Sequence, residues 1–161
     1  MAAGSTYTPL ATYTVSSAQA SYTFSSISAS YTDLILMFAG KGTTTDFFSI
    51  QFNGDSGTNY SLTQMYGAGS NPTYSFRNSN QNKISRNECV NDSNAIINIQ
   101  NYANTSTYKT ALIRSNSSTD ATFATIGLWR STAAINSITL SHDGSSFAAG
   151  TTFTLYGIAA A

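Results

Sequence analysis

The apolar residues of this chain recur with a period of two, and no stripe of helical period is long enough to predict a helix. In residues 45–52 the pattern places Phe48, Ile50 and Phe52 on one side, with polar residues in the gaps. Residues 31–41 are apolar on both sides, which is typical of a strand inside a sheet. Eight further runs of β-branched and aromatic residues lie at 10–15, 21–24, 60–66, 95–102, 108–115, 121–130, 135–141 and 151–158. The pattern therefore predicts ten strands. The residues expected in one common core are Leu34, Leu36, Phe38, Phe48, Ile50, Phe52, Leu155 and Ile126 or its neighbours.

Residues that adopt turn conformations separate the predicted strands. Two such turns stand out, one at Asn53, Gly54, Asp55 and Gly57 and one at Asp143 and Gly144. Short strands with no helix between them indicate antiparallel pairing in two packed sheets. Because 161 residues suit one domain, we predict a single all-β domain over residues 1–161. The expected architecture is an antiparallel β-sandwich, jelly-roll-like, with about 8–10 strands.

Charged residues are scarce. Lys and Arg together number 7, as do Asp and Glu, and the 9% charged fraction compares with roughly 25% in ordinary domains. Nucleic-acid binding depends mostly on clustered Lys and Arg, so this composition argues against that class of function. The amino-terminal residues lack the basic region and apolar run of an export signal, and the apolar stretch at 34–40 is too short to cross a bilayer. We therefore expect a protein made in the cytosol that binds neither nucleic acid nor membrane.

Metal binding finds no complete ligand set in the sequence. A single cysteine, Cys89, and a single histidine exclude an internal disulfide and a Cys/His zinc site. Residues 53–59 carry oxygen-bearing side chains at alternate positions, as calcium loops do. However, Thr58 stands where such a loop needs glycine, and Gln64 stands where it needs a bidentate carboxylate. We interpret the segment as a turn and predict neither a metal nor a cofactor.

A catalytic centre is equally hard to assemble from this sequence. We expect His142 to be an exposed loop residue, and Asp143 beside it would point to the opposite side of an extended strand. Paired carboxylates could still converge from distant strands, as in glycoside hydrolases. Most Asp and Glu residues, however, stand in turn-like segments, and we interpret them as residues that keep the protein soluble. We therefore predict no catalytic residue and no enzymatic activity.

Aromatic residues leave a carbohydrate-binding alternative open. Ten tyrosines and Trp129 could stack on sugar rings, and a surface of Ser, Thr and Asn suits ligands rich in hydroxyl groups. Tyrosine is nevertheless common in strands, and Trp129 alternates with Phe123 and Thr125 on an expected core face.

Two segments are the expected places of contact with partners. Residues 1–9 are uncharged and predict either an arm laid on a neighbouring molecule or an ordinary first strand with a few frayed residues. Residues 67–94 are dominated by Asn, Ser, Gln, Arg and Lys, and predict a long polar excursion from the core. The partner contacts predicted in these segments are Ser5, Thr6, Tyr7, Thr8, Tyr74, Phe76 and Arg77.

The chain resembles small β-sandwich virion proteins of tailed bacteriophages, particularly of cyanophages and marine phages. The resemblance rests on residues 31–34, 52–55 with 59–61, 127–129 with 132–135, and the ending 147–158. It extends over most of residues 10–158 and is weakest in 67–94. These are structural turn and strand motifs, and none is a chemical signature.

The resemblance implies a non-enzymatic virion structural protein, most simply a capsid decoration (cement) protein that stabilises the shell. Such proteins are commonly homotrimers, so the expected partners are further copies of the chain and other virion proteins such as the major capsid protein. The alternative within the same family is a tail-fibre or baseplate module that binds host surface glycans. A free carbohydrate-binding or hydrolytic domain is the remaining hypothesis.

Overall fold

The computed structural model describes residues 6–69, 72–89, 91–119 and 121–159, and in these ranges every regular element is a strand. In most of the strands, alternating apolar and polar residues give one buried side, as the pattern predicts. The strands are β1 Tyr7–Thr14, β2 Ser21–Phe24, β3 Asp33–Gly40, β4 Phe47–Phe52, β5 Tyr60–Ala68, β6 Tyr74–Gln81, β7 Ile84–Glu88, β8 Ser93–Ile99, β9 Lys109–Ser117, β10 Ala121–Trp129, β11 Ile138–His142 and β12 Thr152–Ile158.

The strands form two antiparallel sheets, one of eight strands in the order β1-β12-β3-β8-β9-β10-β5-β6 and one of four in the order β2-β11-β4-β7. Four pairs are nested in sequence, because β1 pairs with β12, β2 with β11, β3 with β8 and β4 with β7. Nested pairs divided between two facing sheets are the strand arrangement of a jelly roll. The predicted fold class is thereby confirmed.

Two hairpins are inserted into this nested framework. The hairpin β5–β6 follows β4, the hairpin β9–β10 follows β8, and together they extend the larger sheet by four strands. All ten predicted strands are present, while β6 and β7 were not predicted as strands. Both lie at sheet edges, and their sequences are mostly polar, so they lack the apolar alternation that identified the others.

The segment 67–94, predicted as a long, partly extended polar excursion, consists largely of strands. It contains the end of β5, all of β6 and β7, and the start of β8. The last part of the predicted arm at residues 1–9 likewise belongs to a strand. Tyr7 is paired with Ile158 and Thr8 with Gly157 in the ladder between β1 and β12. From Tyr7 onward the chain thus forms an ordinary first strand, which is the second of the two alternatives.

The core lies between the two sheets and consists mainly of aliphatic and aromatic residues. The predicted core residues are buried in one cluster, namely Leu34, Leu36, Phe38, Phe48, Ile50, Phe52 and Leu155. For β10 the sequence predicts Ile126 or its neighbours in the core, and Ile126 itself is 54% exposed because it faces away from the four-stranded sheet. Its neighbours in β10, Thr125 and Trp129, are the buried ones.

One close contact joins the four-stranded sheet to the inserted hairpins. Ile84 of β7 lies directly over Gly127 of β10, where a Cβ on residue 127 would stand 2.4 Å from Ile84 Cδ1. Beside it, Gln64 Nε2 donates to the Arg86 carbonyl at 2.9 Å and to Thr125 Oγ1 at 2.7 Å. The hairpins are therefore fixed to β7 by apolar packing and by buried hydrogen bonds.

Candidate interaction surface

The outward side of the eight-stranded sheet, here called the outer face, is the side of that sheet turned away from the four-stranded sheet. Strand register aligns its side chains in rows that cross the strands. One row contains Met37, Ile96, Arg114, Ala124 and Met65. The neighbouring row contains Ile35, Asn98, Leu112, Ile126 and Thr63.

Several large apolar side chains on the outer face are exposed. The exposed fractions are 63% for Met65, 54% for Ile126, 46% for Leu112 and 38% for Met37. They lie on β3, β9, β10 and β5, and the half-buried Ile96 of β8 lies between Met37 and the other three, so that the five side chains form a single patch. Contiguous apolar patches on a protein surface commonly mark sites of association. The outer face is therefore the candidate functional site.

This patch was missed at the level of the sequence. Residues 31–41 are apolar on both sides, and β3 does lie inside its sheet, between β12 and β8. Its second side, which carries Met37, is nevertheless uncovered by any described part of the chain. The sequence signal for this patch was the presence of large apolar residues, Met37 and Ile126, at positions that alternate with the core residues of their strands.

The described cations are mostly engaged within the chain. Lys41 pairs with Asp92, Lys83 with Asp143, Lys109 with carbonyl groups, Arg86 with the rings of Phe47 and Phe76, and Arg130 with the carbonyls of Thr58 and Tyr60. Arg77 and Arg114 have no such partner among the described residues, and register places both on the outer face. The outer face thus combines apolar side chains with two free guanidinium groups.

The predicted partner contacts lie at the two opposite edges of the eight-stranded sheet. Tyr7, 53% exposed, and Thr8 belong to the edge strand β1. Thr6 precedes them and is exposed, while Ser5 lies outside the described residues. The structure does not bring this group together with Tyr74, Phe76 and Arg77, which lie on the other edge strand, β6.

The three predicted contacts on β6 divide between the two faces of the sheet. Arg77 points to the outer face, whereas Tyr74 and Phe76 point to the inner side. Tyr74 is 52% exposed and packs against Tyr66, with ring centroids 4.8 Å apart. Phe76 is half-buried, and the Arg86 guanidinium lies over it with its Cζ 5.1 Å from the centroid of the Phe76 ring. The result is a small aromatic cluster at the β6 edge.

The turn at residues 53–57 is organised around one carboxylate. Asn53 and Gly54 have φ values of +53° and +65°, the left-handed conformation that Asn and Gly tolerate best. Asp55 accepts hydrogen bonds from Trp129 Nε1 at 2.7 Å, Asn59 Nδ2 at 2.9 Å and the Gly57 amide at 2.9 Å. These bonds, with the one from Trp129 foremost, hold the pKa of Asp55 below its usual range against the opposing effect of burial. The carboxylate fixes the turn to the core.

The second predicted turn also has a structural role. Asp143 accepts hydrogen bonds from Ser49 Oγ and from Lys83 Nζ, the latter at 2.8 Å. Gly144 leaves room for a neighbour, because a Cβ on residue 144 would stand 2.1 Å from Asp46 Oδ2.

His142 is not the exposed loop residue that the sequence predicted. It ends β11, is only 7% exposed, and accepts hydrogen bonds at Nδ1 from the amides of Gly144 and Ser145. Its Nε2 is buried near the Thr44 carbonyl, without a hydrogen bond of standard geometry. Burial lowers the pKa of His142, an effect that the nearby Asp46 and Asp143 oppose. With Nδ1 engaged by two donors, the imidazole holds the turn and is not oriented as a general base.

Lys109 is a buried charge that no sequence pattern indicated. It is 1% exposed, and its Nζ donates to the carbonyls of Thr107 at 2.8 Å and Thr132 at 3.3 Å. Burial lowers the pKa of this amine. The side chain joins the loop before β9 to the loop after β10.

The described residues contain no group of three or more His, Cys, Asp or Glu side chains that could hold a metal ion. Over the same ranges, no helix is long and apolar enough to cross a membrane. No model of a known protein family matches the chain, and no curated protein is significantly similar to it in sequence.

Proposed function

We propose that this protein is a non-enzymatic structural component of a phage virion, and specifically a capsid decoration protein. It would act by self-association, as a closed ring that is most simply a trimer, and by docking on other virion proteins such as the major capsid protein. The observation that carries the docking part of the proposal is the outer face, where large apolar side chains of β3, β9, β10 and β5 are exposed to solvent. The resemblance to small β-sandwich phage proteins is the reason for proposing that the protein is part of a virion.

The composition of the chain supports the same proposal. Equal numbers of cations and anions, at 9% of residues, reduce repulsion between copies packed side by side. Among the described residues, the polar groups considered for catalysis have structural partners. Asp55 fixes a turn, Asp143 binds Ser49 and Lys83, and His142 accepts two backbone bonds.

A tail-fibre or baseplate module that binds host glycans is the second candidate. The observation in its favour is the aromatic cluster at the β6 edge, where Tyr74 is 52% exposed next to Tyr66 and Phe76. Exposed aromatic rings at a sheet edge are suited to stacking on sugars.

Immunogold labelling of intact particles of the encoding phage tests the proposal. We expect label distributed over the capsid, and we expect the protein to remain with capsids after the tails have been sheared away. Label confined to the tail would favour the second candidate, and particles without the protein would exclude both. A particle preparation that lacks the gene for this chain provides the control for antibody specificity.

A further inference from the structure

We propose that the outer face docks a different protein, whose facing surface offers apolar side chains and two carboxylate groups, one for Arg114 and one for Arg77. The inference rests on the proposed function, because it names the surface and the chemistry through which the chain would bind other virion proteins. It goes beyond that function by specifying the residues and the kind of partner.

The first argument is charge complementarity. Arg114 lies in the middle of the outer face, between Ile96 of β8 and Ala124 of β10, and has no partner in the described chain. Three strands away, Arg77 is equally unpaired among the described residues. With strands about 4.8 Å apart and about 3.4 Å per residue, the two Cα atoms are about 16 Å apart. Guanidinium groups covered by a partner require acceptors there, and carboxylates offer the best match.

The second argument is size. The eight strands of the sheet span about 34 Å, and a strand of seven residues adds about 24 Å in the other direction, giving a face of about 800 Å². This area equals the roughly 800 Å² that each partner contributes to a stable protein–protein interface. Methionine and arginine are enriched in interface centres, and the outer face carries Met37, Met65 and Arg114.

The third argument favours a different protein over a second copy of the same chain. Each described Asp has a partner within its own chain, including Asp33, which lies on the outer face. Asp33 accepts from the Asn101 amide, Asp46 from the Phe47 amide, Asp55 from Trp129, Asp92 from Lys41 and Asp143 from Lys83. Two outer faces brought together would also place unpaired arginines in one interface, which is unfavourable.

The fourth argument favours a protein over a glycan on this face. The exposed side chains at its centre are aliphatic or thioether groups, namely Met37, Met65, Leu112 and Ile126. Sugars are recognised by aromatic stacking combined with dense hydrogen bonding. The rings of Tyr7 and Tyr156 pack together on β1 and β12 at one end of the outer face, where Tyr156 pairs with Ile35, three strands from Leu112 of β9. The aromatic cluster at the β6 edge, which could serve a glycan, faces the inner side.

The test is a binding measurement with phage particles that lack this protein. Wild-type protein and four variants, Arg114→Glu, Arg114→Lys, Leu112→Glu and Thr23→Glu, are added back and the bound fraction is measured against concentration. Thr23 is exposed on the outward side of the four-stranded sheet, so it provides a matched control for placing a glutamate on a strand. Melting temperatures confirm that every variant is folded.

We expect Arg114→Glu to weaken binding about 30-fold or more and Leu112→Glu to weaken it at least about tenfold. Arg114→Lys should retain part of the affinity because it retains the charge, and Thr23→Glu should bind like the wild type. Folded Arg114→Glu and Leu112→Glu variants that bind as well as the wild type would overturn the inference while leaving the proposed function intact.

The remaining outcomes separate the two proposals. Failure of the wild-type protein to bind the particles would overturn the proposed function and this inference with it. Binding of the wild type to purified host surface polysaccharide, lost in Arg114→Glu while particle binding persists, would show that the outer face serves a glycan and would also overturn the inference.

Discussion

His142 shows how a single buried side chain makes the stability of this fold depend on pH. Both hydrogen bonds at Nδ1 require a nitrogen without a proton, and burial of the ring disfavours the charged form. Asp46 and Asp143 favour the charge but do not overcome the effect of burial, so the pKa stays below that of a free histidine.

We predict that the free energy of unfolding decreases as the pH falls from about 7 through 6.5 and down to the lowered pKa of folded His142. Over this pH range the unfolded chain binds a proton at His142 and the folded chain does not, so protonation stabilises the unfolded state. The slope can reach about 1.4 kcal/mol per pH unit for one proton. Urea titrations at several pH values measure it.

His142→Asn is the matched variant, because Oδ1 can accept the two backbone bonds without titrating. Since the chain has one histidine, the stability of this variant should be nearly constant between about pH 5.5 and 7. An equal pH dependence of stability in the wild type and in this variant would contradict its assignment to His142.

At the scale of elements, the inserted hairpins depend on their contact with β7. Gly127 allows the closest approach, with Ile84 positioned where a side chain on residue 127 would be. Gly67, on the neighbouring strand β5, has more space, since a Cβ on residue 67 would meet Thr73 Cγ2 first, at 3.4 Å.

Gly127→Ala should therefore destabilise the protein by about 1–3 kcal/mol, because Ile84 must shift within a packed core. Gly67→Ala should cost less than about 1 kcal/mol or be neutral, since its Cβ makes ordinary contacts. Chemical unfolding of both variants measures the difference. Equal decreases in the free energy of unfolding of the two variants would show that Ile84 of β7 does not pack tightly on Gly127 of β10.

The strands that could be predicted from sequence are those with one or two apolar sides. The strand at residues 21–24 was predicted with its observed bounds, and β4 and β12 differ from prediction by at most two residues at one end. The strands β6 and β7 could not be predicted in this way, because each has few apolar residues and is placed by its hydrogen bonding to β5 or β4. The outer face required strand order as well, since only the register places Met37, Arg114 and Met65 in one row.

At the scale of the whole molecule, the scarcity of charge determines how copies of the chain are expected to associate. The proposed ring should form through apolar and hydrogen-bonded contacts, because charged residues are few and most described cations are engaged within the chain. Such contacts respond weakly to salt.

We predict that sedimentation velocity gives the same oligomer in about 0.05 M and about 0.5 M salt, where the Debye length falls to roughly 4 Å. A protein held together by charges would dissociate over this range. Only monomer at high protein concentration would exclude the ring.

The nested pairing of the strands also determines the order in which the molecule can fold. The innermost pair, β4 with β7, encloses only the hairpin β5–β6, whereas the outermost pair joins Tyr7 to Ile158. Loop-closure entropy favours the inner pairs first, and a topology with so many distant pairings folds slowly. On the ribosome, β1 must therefore wait unpaired until β12 has emerged. Its one proline, Pro9, and the irregular register beside it make that waiting strand a poor template for pairing with another nascent chain.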